Sequence, residues 1–249
     1  MEGLFDALGV SGIGFAVAFG SVFVGALVQG SIGFGLNLIV VPAIAVIRPE
    51  ALPAASIILA LPMTLGSAFR EREHIDANAV LWTSIGRIPG VVVGAVIVSA
   101  LSGDELALMI GGVVVIAVVM SVASVRIAIN RKNQAAVGLV SGLMGTASSI
   151  GGPPMALLYQ HEPGPKMRAT LGATFLVGTG LSLAALGVAG AVRELHWSFG
   201  LAMTPAVLLG LFASRYFHGW LDGGWLRPCV LAFATLSGLA VIFRGLAAV

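Results

Sequence analysis

The stretch Gly142-Leu-Met-Gly145-Thr-Ala-Ser148-Ser149-Ile-Gly151-Gly152-Pro153-Pro154 limits what this chain can fold into more than any other. Inside a helix, glycine costs about 1 kcal/mol and proline about 3 kcal/mol relative to alanine. So dense a cluster ends one helix and starts another. Its flanks, residues 135–143 and 155–159, are apolar enough to lie at membrane depth. The rest of the chain agrees: of 249 residues, 58% are hydrophobic and only 10% are charged, where a soluble domain has nearer a quarter. Lipid offers no hydrogen bonds, so non-helical backbone at that depth must be buried in protein or line a watery cavity. The stretch therefore reads as part of a binding site in an all-α polytopic membrane protein.

At about 20 apolar residues per crossing, the length allows a single transmembrane domain over 1–249 and leaves no room for a soluble one. Apolar runs fall at about 8–29, 33–47, 51–69, 78–100, 105–128, 135–160, 167–190, 197–217 and 225–247. The runs 33–47 and 135–160 carry or adjoin glycine breaks and are expected to be half-helix pairs or re-entrant hairpins. The basic connection from Arg126 to Lys132 is expected in the cytoplasm, because Lys and Arg in short loops favour that side. Counting crossings from there puts Arg70 to Asp76 inside, Asp104 and Glu105 outside, Arg193 and Glu194 inside, Asp222 outside and the C-terminus inside. The basic residues are dispersed among the connections, which excludes a nucleic-acid partner. Cys229 is the single cysteine and reads as an apolar filler. With Glu2 and Asp6 where a signal peptide carries positive charge, the N-terminus is expected to be retained and to lie outside.

Sliding the sequence by 112 residues places Gly30 on Gly142, Gly33 on Gly145, Asn37 on Ser149, Pro42 on Pro154 and Glu50 on Glu162. After a short insertion, Pro89 and Gly94 meet Pro205 and Gly210. Two homologous halves are expected, about 8–128 and 129–249, each with about four transmembrane helices. The crossing count makes them parallel; a re-entrant motif would make them inverted. Each copy has a glycine break, a short polar side chain and a proline five residues later. Ser and Asn are favoured helix N-caps, and proline is favoured in the first turn. Two half-helices starting near Pro42 and Pro154 would aim unpaired N–H groups and positive dipole ends at the membrane centre, which suits an anion. The candidate substrate-binding residues are Gln29, Ser31, Gly33, Asn37, Ser148, Ser149, Gly151 and Gly152. The simpler reading is that the glycines allow close helix packing, with the small polar groups bonding between helices.

Gln29-Gly-Ser-Ile-Gly-Phe-Gly35 with Val41-Pro42, and Gly138-Leu-Val-Ser-Gly-Leu-Met-Gly145 with Ile150-Gly-Gly-Pro-Pro154, resemble the two glycine motifs of the sulfite exporter TauE/SafE family. The resemblance extends over nearly the whole chain in length, hydropathy and two-half layout. It implies movement of sulfite, organosulfonates or related sulfur-containing anions across a bacterial cytoplasmic membrane. Leu36 and Asn37 stand where many members continue with glycine or a small residue, which leaves substrate and direction open.

Arg87 is the one basic residue well inside an apolar run and joins the candidate site, since a guanidinium fork suits a pair of sulfonate oxygens. The alternative for Arg87 is snorkelling to the cytoplasmic interface. Topology-setting roles are expected for Lys166, Arg168 and Arg215, and interface anchoring for Trp82, Trp197 and Trp225. All carboxylates and histidines lie in or near connections, so no acid is placed to carry protons or sodium at the membrane centre. A passive secondary transporter, an exporter by direction, is the leading expectation. A gated anion channel and a proton-coupled importer, with His161 and Glu162 as the proton step, are the alternatives. No metal or cofactor is expected, and nothing in the sequence has the pattern of a membrane enzyme. The expected partners are a small anion and the lipid bilayer, with a homo-oligomer left open.

Overall fold

A computed structural model of the chain describes residues 8–122 and 126–221. Glu2, Asp6, Asp222, Trp225, Cys229 and the run 225–247 lie outside the described residues. The described chain is helical: α1 (Gly12–Ile32), α2 (Leu36–Ile47), α3 (Ala54–Arg70), α4 (Ala77–Ala100), α5 (Gly103–Val122), α6 (Arg131–Ser148), α7 (Gly152–Tyr159), α8 (Gly164–Val188) and α9 (Glu194–Leu221). Among the described residues, four stretches are long and apolar enough to cross a membrane: Gly12–Ile32, Ala77–Ala100, Gly164–Val188 and Glu194–Tyr216. Their starts follow local chemistry. Ser11 accepts a hydrogen bond from the Gly14 N–H, Asp76 from Ala79 and Asn130 from Asn133, each an N-cap that satisfies an orphan donor.

The expected break at 135–160 is present, and the run divides into α6 and α7. With eight residues, α7 rises about 12 Å, far short of a bilayer core of about 30 Å. Its chain reverses. The Ser141 hydroxyl donates to the Gly151 carbonyl at 2.6 Å, and the Gln134 amide donates to the Tyr159 hydroxyl at 3.3 Å, so α7 runs back along α6 to where α6 began. A second reversal joins α1 to α2. The Leu36 N–H donates to Gln29 Oε1, Ile47 comes back beside Gly14, and Arg48 donates to the Gly9 carbonyl. Both motifs are thus the tips of antiparallel helical hairpins.

The hairpins enter from opposite ends of the bundle. At one end Lys166 pairs with Asp76, Arg168 with Glu71, and Arg131 stacks on Trp82, which gathers the starts of α4, α6 and α8. At the other, His196 Nε2 lies 3.0 Å from the Glu50 carbonyl, joining the start of α9 to the end of the α1–α2 hairpin. Arg193 and Glu194 therefore lie at the end opposite Arg131 and Lys132, which corrects the crossing count. The miscount came from treating 135–160 as a crossing when it returns to the side it entered; the run 33–47 reverses 8–29, so counting both as crossings left Gly9 and Arg48 on the correct side. The corrected topology concentrates Arg70, Arg72, Arg126, Arg131, Lys132, Lys166 and Arg168 at one end and leaves Arg48 and Arg193 at the other. Because Lys and Arg in short loops favour the cytoplasm, the arginine-rich end is the one expected to face it. Trp82 sits at this end and Trp197, 46% exposed, at the other, positions suited to interface anchors. In a Cys229→Ala background, a cysteine at Ala191 should react with an impermeant maleimide from outside the cell, and one at Asn133 only after permeabilisation. Labelling of both from one side would refute this orientation.

Each hairpin packs on a helix outside itself. Among the described residues the most extensive contact is α4 with α6, and the next is α1 with α9, so the long helix of each hairpin has a partner from elsewhere in the chain. Small residues make this close approach feasible. Gly86 and Gly90 of α4 face the backbone of α6 at Ala135 and Leu139, Gly138 and Gly142 of α6 face that of α4 at Thr83 and Arg87, and a Cβ on Gly210 of α9 would come within 2.4 Å of the Phe23 carbonyl of α1. Around the hairpin tips the core is filled by Val40, Val41, Leu59, Met63, Met155 and Met203.

Candidate functional site

Where the two tips meet, the Asn37 amide donates to the Ser149 carbonyl at 2.9 Å and to its hydroxyl at 3.2 Å. The tips are built differently from the expected pair of polar N-caps. Gly33 (φ 93°) closes α1 and Gly35 (φ 117°) caps α2, both left-handed conformations that glycine adopts without a Cβ penalty. Asn37 lies one residue inside α2, and Pro42 falls in the helix interior, so the first half-helix begins at Leu36 and not near its proline. In the second tip Ser149 is the left-handed C-cap of α6 (φ 66°), Gly151 is the N-cap of α7, and Pro153 stands in the first turn as expected. Ser148 ends α6 and donates back to the Met144 carbonyl at 2.7 Å. The paired left-handed caps, Gly33 and Ser149, share the register that joins Pro89 to Pro205 and Gly94 to Gly210, four residues on from the 112-residue slide.

Beside the tips lies a cavity of about 60 Å³, room for a small oxyanion or a few waters. Six of the nine candidate residues line it: Gln29, Asn37, Arg87, Ser149, Gly151 and Gly152. The other three do not. Ser31 donates to the Leu27 carbonyl and faces a neighbouring cavity, Gly33 packs on the backbone of Arg168, and Ser148 is sealed within its own helix turn. The structure adds Phe34, Thr64, Phe175, Thr179 and Ser182 to the lining. The small polar residues of α8, Thr179 and Ser182 within an apolar run, carried a sequence signal. Phe34 and Phe175 carried none, since a phenylalanine in a membrane helix is expected to face lipid or core.

Arg87 is the centre of this cavity's chemistry. It lies midway along α4 and is 3% exposed, so it does not snorkel. One guanidinium nitrogen donates to Ser141 Oγ at 2.9 Å, and that hydroxyl in turn donates to the Gly151 carbonyl. Ser141 thereby fixes both the cation and the α7 tip. The Phe175 ring lies 5.9 Å from the guanidinium carbon, within the range for cation–π attraction. Gly178 lies directly behind the guanidinium, which occupies the space of its missing side chain. No carboxylate pairs with Arg87 among the described residues, and its Nε–H is buried without a hydrogen-bond partner. A buried charge is normally paired, and among the described residues the protein supplies Arg87 with no such partner. Asn37 Oδ1 is likewise buried and unmatched there.

Three other cations near the bundle interior are committed elsewhere. Lys166 bridges Glu162 and Asp76, Arg168 makes a bidentate pair with Glu71, and Arg70 bonds Ser214 and the Gly30 carbonyl. His161 is exposed at the α7–α8 corner, outside the cavity lining. Among the described residues no group of His, Cys, Asp or Glu side chains is arranged to hold a metal.

Membrane-length helices, two broken hairpins meeting at their tips and a buried cation on the cavity between them define a polytopic membrane transport protein. The chain belongs to the sulfite exporter TauE/SafE family, whose sequence model matches residues 17–241, nearly its full length. No curated protein and no solved structure matches the chain. The family is one of membrane transporters of the sulfite and sulfonate exporter type.

Proposed function

We propose that this protein is a secondary carrier that exports a small sulfur-containing anion, such as sulfite or an organosulfonate, across the bacterial cytoplasmic membrane. The observation that carries the reading is Arg87: a buried guanidinium with one nitrogen on Ser141 and an unmatched Nε–H beside the cavity. A tetrahedral or pyramidal oxyanion offers this fork two oxygens. The tip side chains Asn37, Ser149 and Gln29, and the α7 N-terminus at Gly151 and Gly152, supply further polar contacts around it. With the cell interior negative, outward movement of one negative charge is favoured by about 2.3 kcal/mol per 100 mV, so export needs no coupled ion.

The two hairpins, entering from opposite ends and each packed on the other half, support an origin as an inverted repeat. In such an architecture alternating access comes from rocking one unit against the other around a fixed site. Purified protein in liposomes should move sulfite or sulfoacetate with saturable flux and counterflow, and taurine and sulfate less well. Flux equal to that of protein-free liposomes for all four would overturn the proposal. Large unitary currents would assign the protein as a gated anion channel, and uptake driven by a pH gradient as a proton-coupled importer.

A further inference from the structure

The central cavity has a neighbour. On the side toward the arginine-rich end lies a second cavity of about 270 Å³, whose walls include Ser31, Gln160, Ala156 and Arg168. Phe34 is the residue that lines both. Its side chain is 6% exposed, and it sits at the turn of the α1–α2 hairpin between Gly33 and Gly35. Across from it is Gly152, the first residue of α7. A Cβ there would come within 3.2 Å of Phe34 Cβ and 3.4 Å of its ring, so the ring packs where Gly152 has no side chain.

We infer that the larger cavity is the cytoplasmic antechamber of the anion path, and that the Phe34 ring, closed against Gly152, is the partition between antechamber and binding cavity. This rests on the transport reading above. An anion cannot shed its hydration to pass an apolar constriction, and such constrictions close pores by excluding water. Asn37 and Ser149 polarise the inner side of the partition and Ser31 and Gln160 the outer side, while the partition itself, with Ala156 beside it, is hydrocarbon. The flanking glycines give the ring its means of leaving. Both occupy left-handed backbone that a side chain would restrict, and a hinge is built from a few such turn positions that absorb φ and ψ changes. The antechamber wall also carries Arg168, held in a bidentate pair by Glu71, and Glu162, held by Lys166, so its one carboxylate is paired and not set against an entering anion.

The inference is tested by access, which is read independently of transport. In a Cys229→Ala background, Thr179→Cys places a thiol in the binding cavity, and an anionic, membrane-impermeant thiosulfonate is added to inside-out vesicles. With Phe34 intact the thiol should react slowly; with Phe34→Ala it should react at least tenfold faster, and with Phe34→Leu at an intermediate rate. Acceleration should be confined to reagent on the cytoplasmic face. Phe34→Leu, a conservative change, keeps the test valid if the alanine variant does not fold. Rapid reaction with Phe34 intact, an unchanged rate in both variants, or acceleration from the outer face alone would each overturn the partition. If labelling accelerates as expected while the wild-type protein moves no anion in liposomes, the partition stands and the transport reading falls.

Discussion

Arg87→Gln abolishes most of the saturable anion flux and leaves the melting temperature unchanged or higher. Glutamine matches the arginine only as far as Nε and stops short of the nitrogen that donates to Ser141 Oγ, but the α4–α6 contact rests on backbone and the α7 tip on the bond from Ser141 to Gly151, so both survive. What is lost is the charge facing the cavity. A hydrogen bond to a charged group contributes about 1.5–3 kcal/mol, equivalent to roughly a 10- to 150-fold loss in apparent affinity. Stability should move in the opposite sense, because a buried cation without a carboxylate partner is costly to desolvate and its removal relieves that cost. Arg87→Lys keeps the charge but presents a point instead of a fork, and should fall between. Flux measured in liposomes with melting followed in the same detergent-purified samples separates the two effects. Wild-type flux in Arg87→Gln would show that the residue is structural, and a collapsed melting temperature with lost flux would show that it holds the fold.

The largest expected loss of stability is at Gly90. A Cβ there would lie 2.1 Å from the Leu139 carbonyl oxygen and 2.8 Å from the Leu143 nitrogen, both backbone atoms of α6 that cannot rotate away. Gly86 and Gly138 meet the facing helix as closely, at 2.0 Å from the Ala135 carbonyl and 2.2 Å from the Thr83 carbonyl. Gly90→Leu therefore separates α4 from α6 along most of their length, and should yield no monodisperse protein after detergent extraction. Gly90→Ala should be destabilised by more than the roughly 1–3 kcal/mol typical of overpacking, and its flux should fall because Arg87 backs onto Gly142 across the same interface. Gly180→Ala provides the contrast. Nothing lies within 4 Å of the added atom there, so it should match wild type or gain up to about 1 kcal/mol from helix propensity. Equal melting of the two alanine variants would refute the packing argument.

The sequence made the helices legible to within a few residues, because apolar runs bounded by charge mark where chain leaves the membrane. The run 78–100 is α4 from Ala77 to Ala100, and the break at Gly142 to Pro154 is a break. The same signal misled where length mattered. Residues 33–47 and 152–159 are apolar but too short to cross about 30 Å, and only the contacts of Gln134 with Tyr159 and of Gly14 with Ile47 reveal that they return. The site was legible in its polar residues and illegible in its apolar ones. Arg87, Asn37 and Ser149 stand out in a hydrocarbon sequence, whereas Phe34 and Phe175 are indistinguishable there from lipid-facing residues. Ser141 was passed over because one hydroxyl in a membrane helix gives no sign that it links a cation to a turn ten residues further along the chain. The glycine ladder of α4, spaced every fourth residue, was visible in the sequence but overshadowed by the glycines of the motifs.

Ser149 holds a backbone conformation that costs an L-residue roughly 1–2 kcal/mol, and its reward is the contact with Asn37, worth about 0.5–1.5 kcal/mol per hydrogen bond. The two terms nearly cancel. The junction therefore contributes little net free energy to holding the hairpin tips together, and in the proposed carrier a ligand oxygen would replace Ser149 as the acceptor for the Asn37 amide at little net cost. The seam between the two hairpin tips would then also be the seam at which a ligand exchanges for protein.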